Sequence, residues 1–163
     1  MGAYSDAAGY LLSNHVMTLA TIGADGPAAA AVFYVNRDLT FYFLSSPRSL
    51  HAINLVAQPQ ISATIQADCD DWTKIRGVQL SGRARQIDGA ERKLAERIYG
   101  EKFPGVLDGR RVPLAIAEAL RRVCWYRFDV AHLRFIDNSR GFGHRDEWTA
   151  AAFLAIALSG DGA

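Results

Sequence analysis

The stretch from Ser45 to Asn54 carries the side chains whose types and spacing best suit ligand chemistry. Ser45 and Ser46 can accept hydrogen bonds from the free amides of a helix N-terminus, and Pro47 suits the first helical position. Arg48 adds a fixed positive charge where a helix end is already electropositive. Free amides, hydroxyls and a guanidinium around one point predict a seat for a phosphate group. A well-capped helix with a solvated arginine is the alternative explanation of the same residues.

Asn54 lies further along the helix predicted to begin at Pro47. Leu50, Ile53 and Ala57 have the spacing of a stripe that faces a core, and Asn54 shares that stripe. A buried amide needs hydrogen-bond partners. Asn54 therefore either bonds nearby backbone or faces a bound ligand.

Length and composition favour one domain over residues 1–163, with its core at about 15–148 and the tail from 149 to 163 left unplaced. Half of the residues are hydrophobic, which is enough for a full core. Lysine and arginine number 18 against 17 for aspartate and glutamate. Since nucleic-acid-binding domains usually carry a basic excess, this balance argues against nucleic acid as a partner.

Two cysteines, Cys69 and Cys124, stand apart without the spacing of a metal site or a disulfide framework. This usage favours reduced thiols and a cytoplasmic protein. The N-terminus lacks the basic region of a signal peptide. The apolar run from Ala150 to Leu158 is far shorter than the ~20 residues that span a bilayer. We therefore expect a soluble cytoplasmic protein with no membrane partner.

Three short segments rich in β-branched and aromatic residues follow one another: Val16–Ile22, Ala28–Val35 and Leu39–Leu44. Turn sequences separate them at Gly23–Pro27 and Asn36–Asp38. Short turns between consecutive strands predict an antiparallel meander.

The rest of the chain is predicted to contain both strands and helices. Two further strands and three helices are predicted, at Ile61–Gln66 and Arg76–Ile87, and at Ser5–Asn14, Asp88–Tyr99 and Pro113–Arg122. Asp88 and Glu91 have the spacing of a capping box. Cys124–Phe128 and Ala131–Ile136 predict either a closing strand pair or one bent strand. Residues 137–148 are predicted to be a loop, and the pattern of the tail permits a helix.

Two glycines, Gly77 and Gly82, interrupt the predicted strand Arg76–Ile87. Glycine inside a strand is typical of a bulge, a barrel corner, or the close approach of another backbone or a ligand. All three possibilities stay open from the sequence.

The second predicted strand is apolar or aromatic on both faces, since Ala31 and Phe33 alternate with Val32 and Tyr34. A monomeric antiparallel sheet normally keeps one polar face. Losing that face indicates a closed barrel on one side and helices or a partner subunit on the other. We therefore expect a homodimer.

Motifs of hydrolytic, nucleotide-binding and metal-binding sites are missing from the sequence. There is no G-x-G-x-x-G after a strand, no P-loop, no C-x-x-C and no H-E-x-x-H. The four histidines, His15, His51, His132 and His144, form no i, i+4 pair for a metal. The acidic loop Asp68–Asp71 lacks the glycine and distal glutamate of a calcium loop. We predict no metal site, name no catalytic residue, and expect a cofactor to carry any redox chemistry.

Several of these segments together resemble the pyridoxamine 5′-phosphate oxidase-like family of FMN-binding split barrels. The resemblance rests on the meander, on the strand–turn–helix Leu44–Leu55 and on the strand segment Arg76–Ala84. The run Arg134–Gly143, with its F-x-D-N-x-x-G-F-G pattern, is similar to the YhbP type within that superfamily. The resemblance covers roughly His15 to Trp148. It implies a mainly β fold, a six-stranded antiparallel split barrel with short flanking helices, which dimerises.

The same resemblance implies the residues of a cofactor site. In related barrels the turn and helix start after the third strand hold the FMN phosphate, here Ser45, Ser46, Arg48, His51 and Asn54. The second strand flanks the ring, here through Ala31, Val32, Phe33 and Tyr34. The partner subunit contributes from the fifth strand near Gln79 and from the closing loop.

Two positions depart from the family pattern. Where many relatives carry Arg or Lys in this helix, the chain has Leu50 and Ile53, so a phosphate loses charge-assisted hydrogen bonds. Either Arg48 and His51 compensate, or FMN binds weakly, or another ligand takes its place. Haem and a deazaflavin are the alternative cofactors within the superfamily.

The function implied is that of an FMN-dependent oxidoreductase of unknown substrate, with the cofactor at the interface of a homodimer. A small-molecule substrate or a nicotinamide reductant is its expected partner. The alternative is a non-enzymatic split barrel that binds, carries or senses flavin or haem.

Overall fold

A computed structural model describes residues 2–159 of the chain. Within that range the chain forms seven strands, five α-helices and two short 3-10 turns. In chain order the helices and strands are α1 (Ala3–Ser13), β1 (Val16–Gly23), β2 (Gly26–Arg37), β3 (Thr40–Ser45), α2 (Leu50–Ala57), β4 (Gln60–Gln66), β5 (Arg76–Ile87), α3 (Gly89–Lys102), α4 (Leu114–Leu120), β6 (Cys124–Asp137), β7 (Arg145–Thr149) and α5 (Ala150–Ser159). The 3-10 turns cover Trp72–Lys74 and Asn138–Arg140.

Strands β1 to β6 form a closed antiparallel barrel. Neighbouring strands follow the order β3-β2-β1-β4-β5-β6, and β6 pairs back onto β3 to close the ring. The predicted mainly β fold, a six-stranded antiparallel barrel with short flanking helices, is therefore confirmed. The prediction missed β7, which pairs with β6 in a segment expected to be a loop. Its Arg-Asp-Glu-Trp-Thr sequence is too polar to predict a strand, and its pairing with β6 provides the stability.

β6 is long enough to pair with two strands, β3 along its first half and β7 along its second. Its first half, Cys124–Asp129, pairs with β3, and its second half, His132–Ile136, pairs with β7. The two predicted closing segments are thus one bent strand. Both turns of the predicted meander are also present, and Asp38 of the second turn adopts a positive φ of 52°.

The barrel interior is filled mainly by aromatic and branched side chains. Its largest fully buried members include Tyr34, Phe41, Phe43, Phe128, Phe135, Leu19 and Ile65. Helix α1 closes over this core through Leu11, whose carbonyl accepts a 2.6 Å hydrogen bond from the Tyr34 hydroxyl. Helix α5 adds Phe153, so residues 150–159 of the unplaced tail pack on the core. Residues 160–163, like residue 1, lie outside the described range.

Helix α3 covers another side of the barrel. Ala95 and Tyr99 of this helix form a second buried cluster with Trp125 and neighbouring strand residues. The predicted capping box at its start is wrong: the Asp88 side chain makes no cap hydrogen bond. Glu91 turns instead toward two arginines of the barrel, which form ion pairs with it at 2.8 Å (Arg85) and 2.6 Å (Arg127).

A β-bulge separates the two halves of β6. Ser81 lies opposite His132, but Gly82 lies opposite Val130, so Ala131 is the extra residue. Of the three explanations for Gly82, the bulge with close backbone approach is confirmed. Among residues 2–159, no helix combines the length and apolar character that crossing a bilayer requires.

Candidate functional site

The phosphate seat predicted after β3 begins with a turn rather than a helix. The backbone N–H of Ser49 donates to the carbonyl of Ser46 at 3.0 Å, which closes a turn around Pro47 and Arg48. Helix α2 begins only at Leu50. The predictions that Ser45 or Ser46 caps this helix and that Pro47 opens it are therefore wrong. The cap is Ser49, whose hydroxyl accepts from the Ala52 amide at 3.4 Å.

Three polar side chains of this segment form a compact cluster. The Ser45 hydroxyl lies 2.6 Å from His51 Nε2 and 3.1 Å from the Ser49 hydroxyl, which is itself 3.2 Å from the same imidazole nitrogen. Burial lowers the pKa of His51 below its usual range, because the charged form loses hydration. His51 is therefore neutral near pH 7 and serves as a hydrogen-bonding group rather than as a cation.

Arg48 is the fixed charge of the segment 45–54. Its side chain is exposed and makes no hydrogen bond or ion pair with any residue of the described range, while its backbone N–H donates to the Ser46 hydroxyl at 3.2 Å. The guanidinium is thus free to meet an anion. Together with the Ser45–Ser49–His51 cluster it forms an uncrowded polar corner at the end of β3.

The buried face of α2 differs from the predicted one. Leu50 and Ile53 are 56% and 55% exposed, so these two apolar residues of the predicted stripe face outward, and only Asn54 of that stripe is buried. Ala52, Asn54 and Leu55 are the buried residues instead. Apolar residues occur on several sides of α2, so the sequence pattern by itself does not determine which side packs against the barrel.

Asn54 is buried, with 4% exposure, and its side-chain amide donates to the Thr21 hydroxyl at 3.1 Å. The bond joins α2 to the inner face of β1. The predicted alternatives were a bond to nearby backbone and a contact with a bound ligand. The partner is instead a side chain, and the bond is structural. Gly23 lies against the same amide, since a Cβ there would be 2.7 Å from the Asn54 side-chain carbonyl carbon.

The four β2 residues predicted to flank a ring divide between two faces. Ala31 and Phe33 are exposed on the outside of the barrel. Val32 and Tyr34 are buried in the core, where burial raises the pKa of Tyr34. Only the first pair can present side chains to a ligand on the outer surface.

Two rows of side chains cross the outer face of the barrel side by side. Residues paired in register on successive strands point the same way, so each row follows from the pairing. The first row, from β2 to β7, is Ala31, Thr18, Thr64, Gln79, Arg134 and Glu147. The second row is Ala29, Ala20, Ser62, Ser81, His132 and Thr149. The surface formed by these two rows is termed the outer trough.

The outer trough is open and has a floor of small side chains. Two adjoining grooves of about 580 and about 590 Å³ lie along it and share Ala20, Ser62, Ser81 and His132 in their walls. These volumes are in the range of small-molecule sites. Trp148 lines the first groove. The polar groups of this groove include Arg134, which donates to Gln79 at 3.3 Å and to Glu147 at 2.8 Å.

The tertiary structure thus brings the predicted residues Ala31 and Gln79 onto one row, three strand pairings apart. It does not bring the Ser45–His51 cluster into the walls of either groove. The prediction missed His132, Ser62 and Ser81. The bulge signal of Gly82 was the available clue, because a bulge changes which residues of the partner strand face outward.

The closing loop is held firmly by Asn138. Its amide donates to the Trp72 carbonyl at 2.8 Å and its side-chain oxygen accepts from Gly143 N–H at 3.0 Å. Phe142 at the tip is 84% exposed. The loop therefore presents an aromatic ring to the surroundings of the barrel.

The sequence profile of the family described as pyridoxamine 5′-phosphate oxidase matches residues 6–137. The chain belongs to this family. It is also similar to the UPF0306 protein YhbP of Escherichia coli O127:H6, with 29% identity over 142 residues that cover 85% of this chain and 92% of the relative. The resemblance to the YhbP type is confirmed.

Solved structures share the barrel. A haem-binding protein from Mycobacterium smegmatis superposes with a TM-score of 0.75 at 23% identity, over 95% of this chain and 61% of that one. HutZ, described as the haem storage protein of Vibrio cholerae, gives 0.67 at 20% identity, over 80% and 91%. At these identities the likeness establishes the fold.

Proposed function

We propose that the protein binds FMN on the outer face of its barrel, at the interface of a homodimer, and acts as a flavin-dependent oxidoreductase of unknown substrate. The observation that carries this proposal is the outer trough, which places Ala31 and Gln79 on one row above a floor of small side chains. Membership of the pyridoxamine 5′-phosphate oxidase family supports a flavin as the ligand.

The residues present fit the two ends of this cofactor. A flat ring can approach the backbone closely where side chains are as small as Ala20 and Ser62, and Gln79 offers an amide to the polar edge of a flavin. A phosphate can meet the free guanidinium of Arg48 and the hydroxyls of Ser45 and Ser49. When bound, the flavin supplies hydride transfer.

The protein's own residues would bind and orient the cofactor. Neutral His51 holds the Ser45 and Ser49 hydroxyls in place through its Nε2 atom. Leu50 and Ile53 contribute no charge, so Arg48 provides most of the electrostatic attraction at the phosphate end. A single exposed guanidinium predicts modest affinity that falls with salt.

A homodimer accounts for the apolar outer face next to the trough. Val16, Ile22 and Phe33 of β1 and β2 are all more than 40% exposed. Val16 and Phe33 lie on one side of the two rows of the trough and Ile22 on the other. Exposed apolar side chains on both sides of the trough support an interaction surface there. In the proposed dimer each cofactor contacts β2 and Gln79 of the subunit whose trough it occupies, together with the Phe142 loop of the other subunit.

A second candidate is a non-enzymatic barrel that binds, carries or senses haem. The observation favouring it is the exposed imidazole of His132 in the wall shared by both grooves. The M. smegmatis and V. cholerae proteins named above support it. A deazaflavin would use the same ring surface as FMN.

The absorption spectrum of the purified protein, before and after addition of FMN, tests the proposal. A flavin band that stays with the protein through gel filtration supports it, whereas a protein that retains no flavin after addition of FMN contradicts it. Mixing the flavin-loaded protein with NADPH or NADH then separates enzyme from carrier, because a carrier leaves the flavin oxidised. Sedimentation at micromolar concentration tests the dimer, and a monomer mass contradicts it.

The proposed compartment is the cytoplasm. Both cysteines are free, and Cys69 is exposed, as is usual for a protein kept in a reducing environment. Fractionation of cells expressing the full chain tests this assignment.

A further inference from the structure

The bulge at Ala131 reverses which residues of β6 face the solvent. Before the bulge, Tyr126, Phe128 and Val130 point into the barrel. After it, Leu133 and Phe135 point inward. The extra residue thus shifts the alternation by one position, and His132 stands on the outside, where an unbroken strand would turn it into the core.

His132 is exposed and free of intramolecular contacts that would occupy its ring. Neither imidazole nitrogen makes a hydrogen bond or ion pair with any residue between 2 and 159. Its neighbours in the row are Ser81 and Thr149, and its side chain lines both grooves of the outer trough. A neutral imidazole in this position has a nitrogen lone pair available to a metal.

A bare metal ion does not suit the site. No group of three His, Cys, Asp or Glu side chains within the described range is arranged to hold one. A single protein ligand suffices only when other atoms already fill most of the coordination sphere, as the four pyrrole nitrogens of haem do. The small side chains beside His132, Ser62 and Ser81 among them, leave room for such a macrocycle over the sheet.

Charges near His132 suit the carboxylates of haem. Arg83 lines the second groove, is exposed, and has no hydrogen bond or ion pair within residues 2–159. Arg134 in the first groove is already engaged by Glu147 and Gln79. Arg83 is therefore the free cation for a propionate.

We propose that His132 is the axial ligand of a haem iron bound in the outer trough. This inference rests on the second candidate function, the binding of haem, and goes beyond it by assigning the ligand. The β-bulge and Gly82 then have a functional role, because they turn the His132 imidazole toward the haem.

Titration of the full chain with ferric protoporphyrin IX, followed by absorption spectroscopy, tests the assignment. The wild-type protein is expected to give the shifted Soret band and visible bands of a histidine-ligated haem. In His132→Ala those bands are lost. Haem affinity falls at least about tenfold, because even the loss of a residue that only supports a metal ligand lowers metal affinity by that factor. Added imidazole restores the histidine-type spectrum in His132→Ala.

The matched control is His15→Ala, which, like His132→Ala, removes an exposed imidazole, but one that lies outside both grooves and packs on Phe103. It should leave the haem spectrum unchanged. Far-UV circular dichroism confirms that His132→Ala is folded. If the wild-type protein binds no haem, the haem candidate itself is wrong. If haem binds and His132→Ala keeps the wild-type spectrum, haem binding stands and the assignment of His132 is overturned.

Discussion

Gly82 of β5 and Asp129 of β6 face each other with no space for a side chain between them. A Cβ on Gly82 would collide with the Asp129 carbonyl oxygen and lie 2.9 Å from Val130 Cα and 3.0 Å from Ala131 N. All three atoms belong to the backbone of the bulged strand, so they cannot turn aside as a flexible side chain can. The absence of a Cβ at Gly82 is therefore a condition for the bulge that exposes His132.

Gly82→Ala should reduce the free energy of unfolding by about 1–3 kcal/mol, the usual cost of overpacking. Urea unfolding followed by circular dichroism measures it. Gly100→Ala is the matched control, because a Cβ there meets nothing within 4 Å and the residue lies inside helix α3. It should stabilise the protein slightly. Equal unfolding midpoints for wild type and Gly82→Ala would show that the bulge tolerates a side chain.

Arg48→Ala should weaken FMN binding by about tenfold, because it removes the charge-assisted contact proposed for the phosphate. Flavin fluorescence titration measures the affinity. Riboflavin, which lacks the phosphate, should bind both proteins equally. Arg121→Ala, which removes another exposed arginine, should have no effect on FMN. If Arg48→Ala binds FMN as the wild type does, Arg48 is only a solvated surface residue.

Leu50→Lys should strengthen FMN binding by about tenfold, since a cation at the start of α2 adds a charge-assisted contact to the phosphate. Leu50 is more than half exposed, so the change should alter stability by less than about 0.5 kcal/mol. Val56→Lys, at the other end of the same helix and 88% exposed, is the control and should give no gain. Equal gains in the two variants would indicate a general charge effect instead of a phosphate seat.

Asn54→Ala should lower the free energy of unfolding by about 1–3 kcal/mol, because it leaves a void and removes the hydrogen bond to Thr21. Urea unfolding measures this, with the exposed neighbour Val56→Ala as the control that should change little. FMN affinity should stay at the wild-type value, since the Asn54 amide is already occupied. Loss of FMN affinity without loss of stability would instead place Asn54 against the ligand.

Stability should rise with pH from about 8 toward 10 because of Lys102. Burial lowers the pKa of Lys102 to about 8 from an ordinary 10.5, while its Nζ donates to the Asn14 carbonyl at 2.6 Å and lies 4.3 Å from the Tyr34 ring centre. In this window the unfolded chain binds more protons than the folded one, so raising the pH favours folding. The carbonyl and the ring stabilise the ammonium and limit the slope.

Urea unfolding at pH 7.5, 8.5 and 9.5 measures the slope of the Lys102 effect. Lys102→Met should flatten it, whereas Lys93→Met, on the exposed side of α3, should keep it. Above pH 10 the tyrosines reverse the trend, because burial raises the pKa values of Tyr34 and Tyr99 in the folded state. A slope that persists in Lys102→Met would assign it to another group.

Local sequence determined the strands of the barrel and the turns of the meander. β5 begins and ends at Arg76 and Ile87 as predicted. The turn Ala24–Asp25 joins β1 to β2 within the predicted turn segment Gly23–Pro27. These features depend on period-two apolar patterns and on residues that accept turn geometry, both of which act over a few neighbours. The apolar character of both β2 faces likewise indicated the closed barrel.

Other features depended on contacts between residues far apart in the chain. The outward face of α2, the bond from Asn54 to Thr21 and the pairing of β7 with β6 are set by packing and hydrogen bonding across the fold. The error over Leu50 and Ile53 has this origin, because the side of α2 that is buried is the one that contacts β1, β2 and β5.

The features of the candidate site likewise divide into those that the sequence determined and those that depend on the tertiary structure. The sequence by itself determined the polar segment 45–54 and the family, and it indicated Gly77 and Gly82 as positions for a bulge, a barrel corner or a close approach. Only the tertiary structure decided that the bulge lies at Gly82. Only the tertiary structure decided that Ala31 and Gln79 share a row and that His132 faces the outer trough. The physical reason is that the direction of a strand side chain depends on register, and one extra residue in β6 reverses that direction for every residue after it.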